Sequence, residues 1–160
     1  MTRQTPRLLL ATSGSAASRH ATAIAADLAS TFDAELTILH VIAPSAYRLA
    51  RLGPILPIST RLDDPLSNVV LRDARRVAWT RGANPKPMLI AGDAARVIVA
   101  VAVDLGVDLL VIGSQRRLAP AALVAKTRSW VHAHASCPVL PITADRPALS
   151  GRGREPILAT

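Results

Sequence analysis

GDAARVIVAVAVDLGVDLLVIGSQRR, residues Gly92 to Arg117, is the stretch whose reading decides the fold. Gly92 and Asp93 make a turn, and an aspartate there caps a helix by accepting a free first-turn amide. Val97, Ile98, Val101 and Leu105 then recur at helical spacing and predict one apolar face. A second turn leads into Asp108 to Ile112, DLLVI. That run is continuous rather than alternating, as a parallel strand covered on both faces requires. Gly113 and Ser114 open the loop that follows. The unit is half of an α/β nucleotide fold, and the loop after its strand is where such folds hold a ligand.

Working outward, Arg7 to Thr12, RLLLAT, is a buried strand bounded by the turn residues Ser13, Gly14 and Ser15. Ser15 caps a helix running to about Phe32, with Ala17, Ala21, Ile24, Leu28 and Phe32 at inward spacing. Glu35 to Ile42, ELTILHVI, is a second strand. Ala43 to Leu62 carries Pro44, Gly53, Pro54 and Pro57, a density that predicts a long loop or flap. Asp64 and Pro65 are a cap and a first helical residue. Leu66, Val69, Val70, Ala74 and Val77 are the expected inner face of that helix, and Arg72, Arg75 and Arg76 a basic outer stripe. Lys86 to Ala91 is a third strand, and Pro85 and Pro87 suit it to an edge. Ala119 to Ala135 is the last helix, and Val139 to Thr143 a fifth strand with Pro141 inside it.

The alternation predicts an α/β fold: a five-stranded parallel sheet with helices on both faces. It occupies residues 1–143, and residues 144–160 are expected to be a disordered tail containing Arg, Gly and Pro. Ligands in such sheets bind beyond the carboxyl ends of the strands, where the strand order reverses. Two such ends are equipped here: Ser13-Gly14-Ser15 and Gly113-Ser114.

A chain of 160 residues is one ordinary domain. Half its residues are hydrophobic and 2% aromatic, so the core must be aliphatic. No apolar run reaches the roughly 18 residues of a membrane span. The opening MTRQTPRLLLATSGS has too short an apolar stretch for a signal peptide. Cys137 is the single cysteine, which excludes an internal disulfide and fits a reducing, cytoplasmic location. The net charge of +8 comes from arginine, with Lys86 and Lys126 the two lysines. A basic chain attracts polyanions. Against nucleic acid stand the scarcity of aromatic residues to stack bases and the absence of zinc spacing or a basic heptad.

Catalytic and metal patterns are missing. There is no G-x-S-x-G elbow, no Walker lysine motif and no acid pair flanking a cleft. Asp63 and Asp64 are adjacent and precede a helix, so capping explains them. His132 and His134 are two apart, whereas zinc pairs on helices are spaced four apart. His40, in an apolar strand, reads as a satisfied core histidine. Cys137, beside Pro138, would need a lowered pKa to act as a nucleophile.

The pieces LLLATSGSAAS, LTILHV, AGDAARVI, VDLLVIGS and HASCPVLPI, in that order and spacing, resemble the universal stress protein family from about Arg7 to Thr143. The resemblance implies a five-stranded parallel α/β sandwich, usually dimeric, acting in stress responses. One branch of the family binds ATP and another does not. The binding branch carries G-x2-G-x9-G-[ST] after the fourth strand. Gly113 matches its first glycine and is followed by Ser114, but Arg116 and Lys126 stand at the second and third, with Thr127 matching the last position. Aligned from the SCPVL side, Ala125 and Lys126 take the final pair, and two glycines are still lost. Such glycines let amides approach phosphates closely and allow positive φ. The family's adenine-reading acid falls on Ser13, beside Gly14, and Val41 stands where a main-chain group faces adenine.

These residues predict a non-catalytic, regulatory stress-response domain, a homodimer with a degenerate nucleotide site and weak or absent ATP binding. The resemblance also implies that the fifth strand supplies the dimer contact, against which Pro141 stands. The alternative is an adenine-nucleotide binder in which Arg116, Arg117, Lys126 and Arg128 replace the glycines by charge. A third is a basic module for nucleic acid or an anionic membrane surface, carried by Arg72, Arg75, Arg76, Arg146, Arg152 and Arg154.

Overall fold

The computed structural model describes residues 5–42, 65–114 and 121–143, with side chains except at 65–68, 114 and 121–126. The segment 43–62, the cap expected at Asp64, Arg116 and Arg117, and the tail 144–160 all lie outside the described residues.

Among the described residues nine elements alternate: β1 (Arg7–Thr12), α1 (Ala16–Phe32), β2 (Glu35–Ile42), α2 (Pro65–Trp79), β3 (Lys86–Ala91), α3 (Ala94–Asp104), β4 (Leu109–Ser114), α4 (Ala121–His134) and β5 (Val139–Thr143). The strands form one sheet in the order β3-β2-β1-β4-β5, every pair parallel. The chain first winds outward from β1 to β3, then crosses back to β4 and β5. The order therefore reverses between β1 and β4.

Each strand residue faces one layer or the other, which is why the strands read as unbroken apolar runs. Leu8, Leu10, Ile38 and Val111 join α1 and α2 in one core cluster. Leu9, Leu39, Leu110 and Ile112 join α3 and α4 in the other. Leu9, Leu10, Ile38, Leu39, Leu110 and Val111 are all fully buried. With hardly an aromatic ring in either cluster, the core is aliphatic, as composition required.

Two helices turn differently from expectation. The face that α1 buries is Ala17, Ser18, Ala21, Thr22, Ala25, Ala26 and Ala29. Ile24 and Leu28 are only half-buried, and Phe32 is 63% exposed. The cause lies in the sheet. A Cβ placed on Gly113 would sit 2.5 Å from Ser18 Cα, 2.7 Å from its amide nitrogen and 2.9 Å from the Ala17 carbonyl carbon. The helix rests almost directly on β4, and only small residues fit the space beneath it. In α2 the buried residues are Leu71, Ala74 and Ala78, while Val69 is 55% exposed. Val70 and Val77 are half-buried and Ala74 is inward as expected. Neighbouring residues are turned by about 100° on a helix, so the run Val69-Val70-Leu71 leaves the stripe open, and packing against α1 chooses the Leu71 side.

The expected caps and edges are found. Ser15 is the N-cap of α1 and accepts the Ser18 amide at 3.1 Å. Asp93 caps α3 and accepts the Arg96 amide at 3.0 Å. β3 is an edge strand, and β5 is the other.

Because the Gly113 contact is with main chain rather than with a flexible side chain, Gly113→Ala has no relief without moving α1. We expect a loss of about 1–3 kcal/mol, the usual range for overpacking. At about 2–4 °C per kcal/mol for a chain of this size, the thermal midpoint measured by circular dichroism should fall by several degrees.

Candidate functional site

The carboxyl ends of β1, β2 and β4 come together at the reversal of strand order, the place where sheets of this kind hold ligands. β1 is in register with β2 to Thr12 opposite His40, and with β4 to Ala11 opposite Ile112. Ser13 directly follows Thr12, Val41 directly follows His40, and Gly113 and Ser114 end β4 just beyond Ile112. Five sequence-derived site residues are thus brought to one strand end: Ser13, Gly14, Val41, Gly113 and Ser114.

The turn between β1 and α1 is closely determined. Ser13 is exposed and Gly14 adopts φ +78°. A Cβ on Gly14 would lie 2.9 Å from Val70 Cγ2, so the turn is seated against α2. The Gly14 amide donates to Thr12 Oγ1 at 3.4 Å, and Thr12 is buried. Ser15 Oγ is used for capping. The N-terminus of α1 therefore points its positive end into the crevice.

His40 is half-buried, with its Nδ1 2.8 Å from the Thr12 carbonyl oxygen. A carbonyl only accepts, so Nδ1 carries the proton and donates. The expected satisfied histidine is found, and it ties β2 to the last residue of β1 beside the crevice. Nothing in the sequence tells that its partner is a main-chain group on a different strand.

Gly113 serves a different need from the one its motif suggests. Its φ is not among the positive glycine values, and the closest neighbours of an added Cβ belong to α1. Helix-to-strand packing alone is enough to require glycine there. Lys126 and Thr127 lie six and seven residues into α4, which begins at Ala121. In the second turn of an α-helix the amides bond to carbonyls four residues back. Those two amides are engaged within the helix. Thr127 and Arg128 are half-buried and each has an interaction partner, while Arg116 lies outside the described residues.

The basic stripe of α2 is engaged with its surroundings. Arg76 Nη2 lies 2.9 Å from Asp73 Oδ1, and Arg19 of α1 reaches the other oxygen of the same carboxylate at 3.6 Å. The Arg75 guanidinium lies over the Trp79 ring, 4.5 Å from its centroid. Arg72 is exposed. Among the described residues no group of three or more His, Cys, Asp or Glu side chains is placed to hold a metal ion. No described helix is long and apolar enough to cross a membrane. A shallow depression lined by Thr5, Ser30, Asp33, Glu35 and Asn84 lies at the amino ends of the strands, away from the crevice.

A five-stranded parallel sheet whose strand order reverses between β1 and β4, with helices on both faces, defines the broad class, a doubly wound α/β fold. The chain belongs to the universal stress protein family, whose model matches residues 5–142. Among solved structures it is similar to a protein of that family from Burkholderia pseudomallei, at 26% identity and a TM-score of 0.58, over 85% of this chain and 94% of that one. It is also similar to a universal stress protein in complex with cAMP, at 20% identity and a TM-score of 0.65, covering 86% and 95% of the two chains. A third is the universal stress protein from Archaeoglobus fulgidus in complex with dAMP, at 17% identity and a TM-score of 0.62, covering 87% and 98%. No curated protein matches the chain.

Cys137 is a half-buried free thiol at the entry to β5. Burial pushes its pKa above the usual thiol value; the Asp108 carboxylate adds to the rise, and hydrogen bonds from the main chain of Leu110 and Cys137 oppose it. With the folded pKa raised, less thiolate is present at mildly alkaline pH than in an unfolded chain. Iodoacetamide should therefore label the native protein more slowly than the urea-unfolded protein at pH about 8, and the gap should narrow as pH rises further. Equal rates followed by mass spectrometry would contradict this environment.

Proposed function

We propose that this chain is a non-catalytic regulatory domain of the stress response, working as a cytoplasmic homodimer, in which tight ATP binding has been lost. The position of residues 126 and 127 carries this reading. They stand where the family's phosphate-binding Gly-[Ser/Thr] pair belongs, yet lie in the second turn of α4, with their amides engaged in the helix. Side chains deepen the loss. Arg116 and Lys126 stand where glycines admit phosphate, and Ser13 keeps one acceptor where a carboxylate would read adenine. Dimerisation is supported by β5, whose Val139, Leu140 and Ile142 are no more than half-buried. The basic surface is a weaker candidate for polyanion docking, because Asp73 and Trp79 already hold much of the α2 stripe.

A second reading keeps the crevice as an adenine-nucleotide site held by arginine. It is favoured by the row Ser13, Val41 and Ser114 at the strand ends, and by the cAMP and dAMP complexes among similar folds. Calorimetric titration separates the two. With Mg-ATP at about 150 mM salt we expect no binding at millimolar nucleotide; a micromolar constant, about −8 kcal/mol, would favour the second reading.

Arg116→Gly gives an independent test. If the arginine blocks the crevice, nucleotide affinity should rise in the variant. If it holds a phosphate, affinity should fall at least about 10-fold, since charge-assisted hydrogen bonds contribute about 1.5–3 kcal/mol.

A further inference from the structure

Both outer strands carry a proline within their span: Pro87 in β3 and Pro141 in β5. In a parallel ladder the residues of an edge strand alternate. One turns its amide and carbonyl to the inner neighbour, and the next turns both to the open edge. The phase can be read at each edge. At β5 the Leu110 amide donates to the Pro138 carbonyl at 3.0 Å, with Leu110 level with Val139. Pro138, Leu140 and Ile142 therefore serve β4, while Val139, Pro141 and Thr143 turn outward. At β3 the Gly92 amide donates to the Ile42 carbonyl at 2.9 Å, with Ile42 level with Ala91. Met88, Ile90 and Gly92 serve β2, while Pro87, Leu89 and Ala91 turn outward.

Each proline thus occupies an outward position. The sheet loses no internal hydrogen bond, and each open edge loses a donor. In β5 the missing amide is the middle one of the three that face outward. That strand, VLPIT, has no charged residue and no fully buried one, so without the proline it would be an exposed apolar edge, the kind that pairs with other chains. β3 has Lys86 at its start as well, paired to Glu35 at 3.5 Å.

We propose that Pro87 and Pro141 close both edges of this sheet to strand addition, so that the chain meets a second copy of itself or another protein through side-chain surfaces and not by extending the sheet. This goes beyond the functional reading above and is independent of nucleotide binding. A discrete homodimer held by side chains is compatible with it.

The test is sedimentation velocity of the full chain over a wide concentration range, on wild type, Pro87→Ala, Pro141→Ala and Pro141→Val. Wild type is expected to remain one discrete species or a monomer–dimer pair. Both Pro141 variants should form larger species, with the weight-average mass at least about doubling, and Pro87→Ala should shift the same way by less. Alanine restores the amide while adding little apolar surface, so a response shared by alanine and valine assigns the effect to the restored donor. Growth in the valine variant alone would assign it to apolar area and overturn the proposal. So would unchanged sedimentation of both Pro141 variants, or open-ended growth of wild type. The proposal gives the prolines no part in the native ladder, so an alanine variant that fails to fold by circular dichroism also counts against it.

Discussion

The approach of α1 to β4 at Gly113 is the contact on which the rest of this structure depends. With an added Cβ 2.5 Å from Ser18 Cα, the helix lies so low on the strand that no side chain fits between them at residue 113. Its buried face is therefore made of alanine, serine and threonine. Thr22 Oγ1 donates to the Ser18 carbonyl at 2.7 Å, so even the buried hydroxyl is satisfied within the helix. A helix lying this low brings its N-terminus to the end of β1, where Gly14 must take positive φ for the chain to turn in time. Gly14 in turn meets Val70, which fixes α2 beside α1. One glycine on a strand thus sets the depth of a helix, the shape of a turn and the seat of a second helix.

The crevice at the strand-order reversal follows from the same packing. Ser13, Val41 and Ser114 form a row of strand-end residues just beyond the last positions that β1 pairs with β2 and with β4, Thr12 with His40 and Ala11 with Ile112. A helix N-terminus faces that row, and His40 fastens β2 to the last carbonyl of β1. The positions of the second and third motif glycines carry long basic side chains, and α4 has already begun before residue 126. Glycine at 113 is required by the packing of α1 alone, so its presence says little about a ligand.

Charge is handled locally. The arginine excess suggests a cationic surface, but Asp73 meets both Arg19 and Arg76, Asp27 is held by Arg81 at 2.7 Å, and Arg75 covers an exposed tryptophan. These pairs are solvent-exposed and each contributes little stability. Their effect is to tie α1 to α2 and to the turn after α2, and to reduce the free charge that face presents.

Much of this protein was legible in its sequence. DLLVI reads as a doubly covered parallel strand because its apolar run is continuous rather than alternating, and RLLLAT as a buried strand because its apolar run ends in turn residues. Ser15 and Asp93 read as caps because their short side chains reach a first-turn amide, and Pro87 placed its strand at an edge because it lacks a ladder donor. Those are local properties, fixed by a residue and its near neighbours in the chain. What the tertiary structure alone decided involves residues far apart: the rotation of α1 that leaves Phe32 exposed, the Leu71 face of α2, the Thr12 partner of His40, and the helical contact that demands glycine at 113. Hydrophobic periodicity gives several adjacent stripes nearly equal claims. The choice among them is made by the space another element leaves, and that space exists only once the sheet and helices have met.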